Sequence, residues 1–305
     1  MLYWLKKGPH LTMTAPEPHQ KRVNSHFNEA ALYWAQVYER DDDVSACIYQ
    51  ERLRIVIELV NTIALLSPTR VLEIGCGAGY GAVALAGLGH VVDAVDTVQA
   101  MVDATRDLAA KAGLAGRIRS GLGDIHALPF ADGTFGLVVA MGVLPWLPSI
   151  DEPMREIHRV LHDGGYLIVN VDNRWGLRQF LDPLKNPLLR PMKEFVKALL
   201  RRLGRSKAES LVCAVSTREC DAVLRDVGIE KLDGTTLGFG PFSVFAYEPV
   251  PNFIGLKVHR YLQSLAARRI PLIRVCGGEY IVLGRKKRAV SSGAANANAT
   301  PPLEA

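Results

Sequence analysis

The chain has 305 residues, 49% of them apolar and 22% charged, with a formal net charge of +5. That is enough apolar residue for a large core, which excludes disorder as the overall class and any need for a stapling disulfide or structural metal. The basicity falls short of a dedicated nucleic-acid binder, and the five cysteines show no C-x-x-C spacing. Reduced thiols and a cytoplasmic location are therefore expected. The start, Met1 to Lys7, lacks an h-region or small-residue cleavage site behind it. The best apolar run, Ile55 to Leu66, is broken by Glu58 and Asn61 and is too short for a membrane span.

In chain order, residues 1–24 hold Pro9, Pro16 and Pro18 and read as a flexible arm. Residues 25–66 read as two helices. An alternation then begins. Strands are expected at Arg70–Ile74, Val91–Val95, Arg117–Ser120, Phe135–Ala140 and Tyr166–Val171. Helices are expected between them at Ala82–Leu88, Gln99–Ala112 and Asp151–Leu161. This rhythm implies βαβ units and a mostly parallel sheet flanked by helices, an α/β Rossmann-like fold. It breaks over residues 173–210, which read as a helical lid inserted after the fifth strand. It resumes with a helix at Thr217–Val227, strand-like residues from Ile229 to about Phe245, a helix at Gly255–Arg268 and a strand at Tyr280–Leu283. The main domain is thus expected over 25–288, with a disordered Ala/Ser/Asn/Pro-rich tail at 289–305.

The strongest local signal is Val71-Leu-Glu-Ile-Gly-Cys-Gly-Ala-Gly79. A strand runs into glycines and then into a helix, a turn that a nucleotide or nucleoside can approach closely. Glu73, two residues before the first glycine, needs a partner if the strand end is buried. A cationic or hydroxyl-bearing ligand could be that partner, whereas a dinucleotide pyrophosphate is anionic. Asp96 follows the second strand, nineteen residues beyond Gly77, and suits a carboxylate accepting from two ribose hydroxyls. Asp124 can accept from an exocyclic amine, with Ile125 and Phe130 available to a purine. Three acids after three successive strands would line one edge of the sheet.

At these residues the sequence resembles the class I S-adenosylmethionine-dependent methyltransferases, in particular the small-molecule branch similar to those of quinone biosynthesis. The stretches that carry the resemblance are VLEIGCGAG at 71–79, VVDAVDTVQAMVDATR at 91–106, GDIHALPFADGTFGLVVAMGVLPWL at 123–147 and HRVLHDGGYLIVNV at 158–171. The resemblance implies S-adenosyl-L-methionine as cofactor. It implies that Glu73, Gly75, Cys76, Gly77 and Gly79 hold the methionine part, Asp96 with Thr97 the ribose, and Asp124 with Ile125 the adenine. Met141 and Gly142 would border the sulfonium and the acceptor. The chain departs from the family's frequent pattern at Gly136, at Val143-Leu-Pro-Trp146 and at His162-Asp-Gly-Gly165. The second departure removes a histidine that the family often carries at the active-site rim.

No catalytic base is assigned, because in-line methyl transfer needs one only when the acceptor must lose a proton. No metal is expected. Residues 190–205 are amphipathic and basic, which suits either a lid or a peripheral membrane contact. With the aromatics Phe239, Phe242, Phe245 and Tyr247, the lid tilts the expectation toward a small apolar, aromatic or lipid-linked acceptor and away from nucleic acid. The aromatics Tyr33, Trp34, Tyr38 and Tyr49 read either as a cover over the cofactor or as plain packing. The alternatives are an NAD(P)-dependent Rossmann oxidoreductase, a nucleic-acid or protein methyltransferase, and a binding module that keeps the fold without catalysis. Residues 185–207 carry eight Lys/Arg and one Glu, and residues 285–288 four more cations, so the rest of the chain is net −6. An acidic body suits a cationic sulfonium cofactor.

Overall fold

A computed structural model of the chain describes residues 19–40, 43–63, 65–202, 212–245, 247, 249–268 and 270–288. The expected tail at 289–305, most of the arm, and the lid beyond Arg202 up to 210 lie outside the described residues. Among the described residues eight strands form one sheet in the order β3-β2-β1-β4-β5-β8-β7, with β6 pairing beside β5. They are β1 Arg70–Ile74, β2 Val91–Asp96, β3 Ile118–Leu122, β4 Phe135–Ala140, β5 Leu161–Asn173, β6 Ala214–Val215, β7 Ile229–Leu237 and β8 Glu279–Lys286. The first five pair in parallel. Strand β8 runs antiparallel between β5 and β7.

Helices cover both faces, as a parallel sheet requires. They are α1 His19–Glu29, α2 Ala31–Gln36, α3 Val44–Thr62, α4 Tyr80–Gly87, α5 Gln99–Lys111, α6 Asp151–Val160, α7 Leu177–Leu181, α8 Arg190–Arg202, α9 Thr217–Asp226 and α10 Asn252–Ala267. Alternate residues of each strand feed two cores. Leu72, Val138 and Leu167 join the core that includes Met154, Ile157 and Leu224. Val71, Leu137 and Ile168 join the core that includes Val56, Leu85 and Ala109. Strand β4 is buried along its whole length, which is why its sequence is an unbroken apolar run apart from Gly136.

Several boundaries differ from expectation, and three of them bear on the site. Residues 19–24, read as arm, are helical and begin α1. Strand β5 starts at Leu161, because Phe135 pairs with Leu161 before a bulge restores the register. Strand β7 ends at Leu237, where Gly238 adopts φ +82, so the aromatics from Phe239 to Phe245 sit in a loop. The parallel order reverses between β1 and β4. In open α/β sheets the ligand crevice lies beyond the strand ends at this reversal.

Candidate functional site

The glycine turn stands at that reversal, between β1 and α4. Gly75 and Cys76 donate their backbone N–H groups to the Val95 carbonyl at 2.8 and 3.1 Å, which ties the turn to β2. Gly79 closes it by donating to the Cys76 carbonyl at 2.9 Å. Its φ of +88 caps α4 in the left-handed region, and a Cβ there would stand 2.8 Å from the Thr105 Cα. Only glycine satisfies both limits. Gly77 is the opposite case: a Cβ on it would meet nothing within 4 Å, so the space above the turn is open. Thr105 on α5 donates its hydroxyl to the Gly77 carbonyl at 2.9 Å and lies 3.3 Å from the Cys76 sulfur. Burial pushes the Cys76 thiol up, so it is a floor of the turn and no ready nucleophile.

Glu73 is 7% exposed. Its Oε2 is buried with no hydrogen-bond partner among the described residues. Burial pushes its carboxyl up to about 8, against the N–H of Ala82 and with help from the charge of Asp96. An unpaired buried carboxylate is costly, so this oxygen fits a ligand that brings a cationic or N–H donor. Asp96 is half-buried, and its Oδ2 accepts from the Gly77 N–H at 3.1 Å while its Oδ1 accepts from the Val98 N–H at 3.0 Å. Burial pushes this carboxyl up too, opposed by backbone N–H groups. Each oxygen keeps a lone pair for a hydroxyl donor, which suits a ribose.

Thr97 donates to the Oδ1 of Asn24 on α1 at 2.9 Å. The same helix grips Trp146 beyond β4: His26 stacks on its ring at 5.4 Å, Phe27 meets it edge-on at 5.0 Å, and the His19 imidazole lies 2.7 Å from its carbonyl. Helix α1 thus spans the crevice from the end of β2 to the segment past β4. Tyr38 stacks on Tyr80 at the start of α4, and Trp34 meets Tyr49. The N-terminal aromatics therefore reach the C-terminal side of the turn through Tyr80 and helix α3 through Tyr49.

Asp124 stands on the loop after β3. Its Oδ1 accepts from the backbone N–H of His126 at 2.9 Å and lies 2.8 Å from that imidazole. Ile125 is 3% exposed and packs in the core with Ile74, Val95 and Leu128. Its side chain anchors the loop that carries Asp124. Met141 is half-buried on the other face of the sheet.

Beyond β4 a buried polar chain assembles. The Gly142 N–H donates to Asn170 Oδ1 at 2.6 Å, and Asn170 Nδ2 donates to Glu279 Oε2 at 2.7 Å. Arg52 of α3 lies 3.6 Å from the same Glu279 oxygen, and its guanidinium sits over the Tyr49 ring. Asn170→Leu leaves the Gly142 N–H and the Glu279 carboxylate without this partner. We expect about 1–3 kcal/mol of destabilisation, read as a lower urea midpoint, together with reduced turnover at unchanged cofactor affinity.

A family model described as "Methyltransferase domain" matches residues 72–169. The 27-O-demethylrifamycin SV methyltransferase of Amycolatopsis mediterranei is 30% identical over 223 residues, 72% of this chain and 76% of its own length. The chain is an S-adenosylmethionine-dependent methyltransferase. Other relatives match over shorter spans. Methyltransferase GfsG of Streptomyces halstedii is 32% identical over 117 residues, and this methyltransferase spans 42% of its length. Among solved structures, the [4+2]-cyclase SpnF aligns with a TM-score of 0.57 at 20% identity over 91% of this chain and 98% of its own. Magnesium protoporphyrin IX methyltransferase of Synechocystis, solved with bound SAH, aligns at 0.56 and 16% over 88% of this chain and all of its own. These two likenesses show the fold alone.

The structure of this methyltransferase brings Glu73, the turn, Asp96 and Thr97 to one crevice, and Asp124 to the loop after the next strand. Sequence reasoning missed Gly81, Thr105, Asn24, Asn170, Arg52 and Glu279. Gly81 continues the alternate glycines at 75, 77 and 79, a signal that was available. Asn170 is a polar residue inside the buried run from Leu167 to Val171, which also marks it. Arg52 and Glu279 carry no local signal.

Proposed function

We propose that this methyltransferase acts on the oxygen or carbon of a small apolar, aromatic or lipid-linked acceptor held beyond β4, under the segment that follows β5. The bound cofactor supplies an electrophilic methyl group on a sulfonium, displaced in line. Glu73 and the backbone of Gly75, Cys76, Gly77 and Gly79 hold the methionine part; Asp96 and Thr97 hold the ribose. Asp124 takes the adenine amine, with Ile125 fixing its loop. Met141 and Gly142 border the transfer point. The orphaned Glu73 oxygen carries this assignment. The protein's contribution is alignment and exclusion of water, for which α1 is placed as a roof.

The acceptor class rests on the inserted segment. Arg178 of α7 pairs with Asp172 at the end of β5 at 3.4 Å, which roots that segment at the crevice. Trp175 and Phe180 beside it are 47% and 44% exposed. Met192 and Phe195 on α8, at 59% and 72% exposure, suit the peripheral membrane contact expected of residues 190–205. The relative of Amycolatopsis is named for 27-O-demethylrifamycin SV, and a sterol 4-C-methyltransferase of Caenorhabditis elegans is 33% identical over 98 residues. One name denotes methylation at an oxygen and the other at a carbon. The test is to incubate the purified protein with methyl-labelled S-adenosylmethionine and an extract of its source cells. Label should enter the solvent-extractable small molecules. Label confined to acid-precipitable protein or nucleic acid contradicts the reading.

A further inference from the structure

We propose that helix α10 and the turn after it dock the protein onto an anionic lipid bilayer. Residues 249–278 contain five Lys/Arg and no Asp or Glu. One stripe of α10, Gly255, His259, Gln263 and Ala266, is buried. The outward side mixes apolar residues with cations, Asn252 and Ser264, and carries no acid. Ile254, Val258 and Tyr261 recur at i, i+4 and i+7 with exposures of 41, 37 and 65%, and Phe253 beside them is 64% exposed. Lys257, Arg260 and Arg268 flank these residues, are exposed, and make no ion pair with any described residue. Arg274 is paired, at 2.9 Å from Asp233. The turn adds Leu272 and Val275, at 78% and 51% exposure.

An exposed apolar patch rimmed by cations with no acid matches an anionic lipid surface, where apolar side chains enter the headgroup boundary and Lys/Arg meet phosphates. A second copy of the same face would bring like charges together. The position also suits delivery of an apolar acceptor. The Leu177 N–H at the start of α7 donates to the Cys276 carbonyl at 2.7 Å, and Glu279, three residues on, reaches the Asn170–Gly142 chain. The docking face therefore adjoins the root of the inserted segment. Delivery rests on the acceptor proposed above, whereas docking does not.

The test is flotation of the full chain with vesicles of equal parts phosphatidylcholine and phosphatidylglycerol, and with vesicles of phosphatidylcholine alone. The protein should float with the anionic vesicles only. Lys257→Gln/Arg260→Gln should weaken partitioning about thirtyfold, at about 1 kcal/mol for each basic residue. Phe253→Ser/Tyr261→Ser should weaken it as well. Titration of each variant with S-adenosylhomocysteine should be unchanged, which separates loss of docking from loss of fold or of the cofactor site. Failure to float, or equal flotation of the variants, overturns the proposal. So does loss of flotation only in Met192→Ser/Phe195→Ser, which would place the contact on α8. A dimer in sedimentation that Phe253→Ser/Tyr261→Ser disperses would assign the face to a second copy instead.

Discussion

Replacing Gly81 by alanine should sharply weaken cofactor binding, and valine should abolish it. A Cβ at this position would lie 1.9 Å from Glu73 Oε1 and 3.0 Å from its carboxyl carbon. The glutamate cannot swing freely to solvent, because it is 7% exposed at the end of a buried strand. It must leave the N–H of Ala82 and reorient within the core, a form of overpacking that costs about 1–3 kcal/mol. Cofactor affinity should fall about hundredfold in Gly81→Ala if the displaced carboxylate is the group that receives the ligand's cationic end, close to 3 kcal/mol at 1.4 kcal/mol per tenfold. Pairing the change with Glu73→Ala should restore the lost stability and leave affinity low. Calorimetry with S-adenosylhomocysteine and urea unfolding separate the two effects. Full affinity in Gly81→Ala would mean that Glu73 does not touch the ligand.

Cofactor affinity should also depend on pH through Glu73. In the ligand-free chain burial holds this carboxyl near 8 rather than at the 4.5 of an ordinary glutamate. Below about 8 it is protonated, and binding a cationic donor then requires loss of that proton. Affinity for S-adenosylhomocysteine should therefore fall as pH falls below about 8, approaching tenfold for each pH unit. Stability of the ligand-free chain moves the other way. The folded state holds a proton that the unfolded state has lost between pH 4.5 and about 8, so this group's contribution to stability declines as pH rises through that window. Glu73→Gln should flatten both curves. A wild-type affinity that does not change between about pH 6 and 8 would show that the Glu73 carboxyl does not receive the ligand's cationic donor.

The half of the fold that carries the crevice is legible in the sequence because its signals are local. Arg70–Ile74 and Phe135–Ala140 are expected and observed as strands with the same ends, since buried parallel strands are short apolar runs bounded by turn residues. The glycine turn follows directly from the end of the first of these, and Asp96 from the end of β2. The other half depends on long-range pairing. Nothing in Glu279–Lys286 announces that it inserts antiparallel between β5 and β7. That insertion brings Glu279 to Asn170, 109 residues away in the chain. The start of helix α1 is likewise hidden: the polar stretch from His19 to Asn24 takes its partners from Thr97 and Trp146, which no local pattern could supply.

The most direct test of the cofactor site is a crystal structure with S-adenosylhomocysteine bound. The ribose hydroxyls should lie within hydrogen-bonding distance of the Asp96 carboxylate, and the amino group within reach of Glu73 Oε2. A ligand seated elsewhere, or one that leaves both carboxylates without contact, would contradict the site described here.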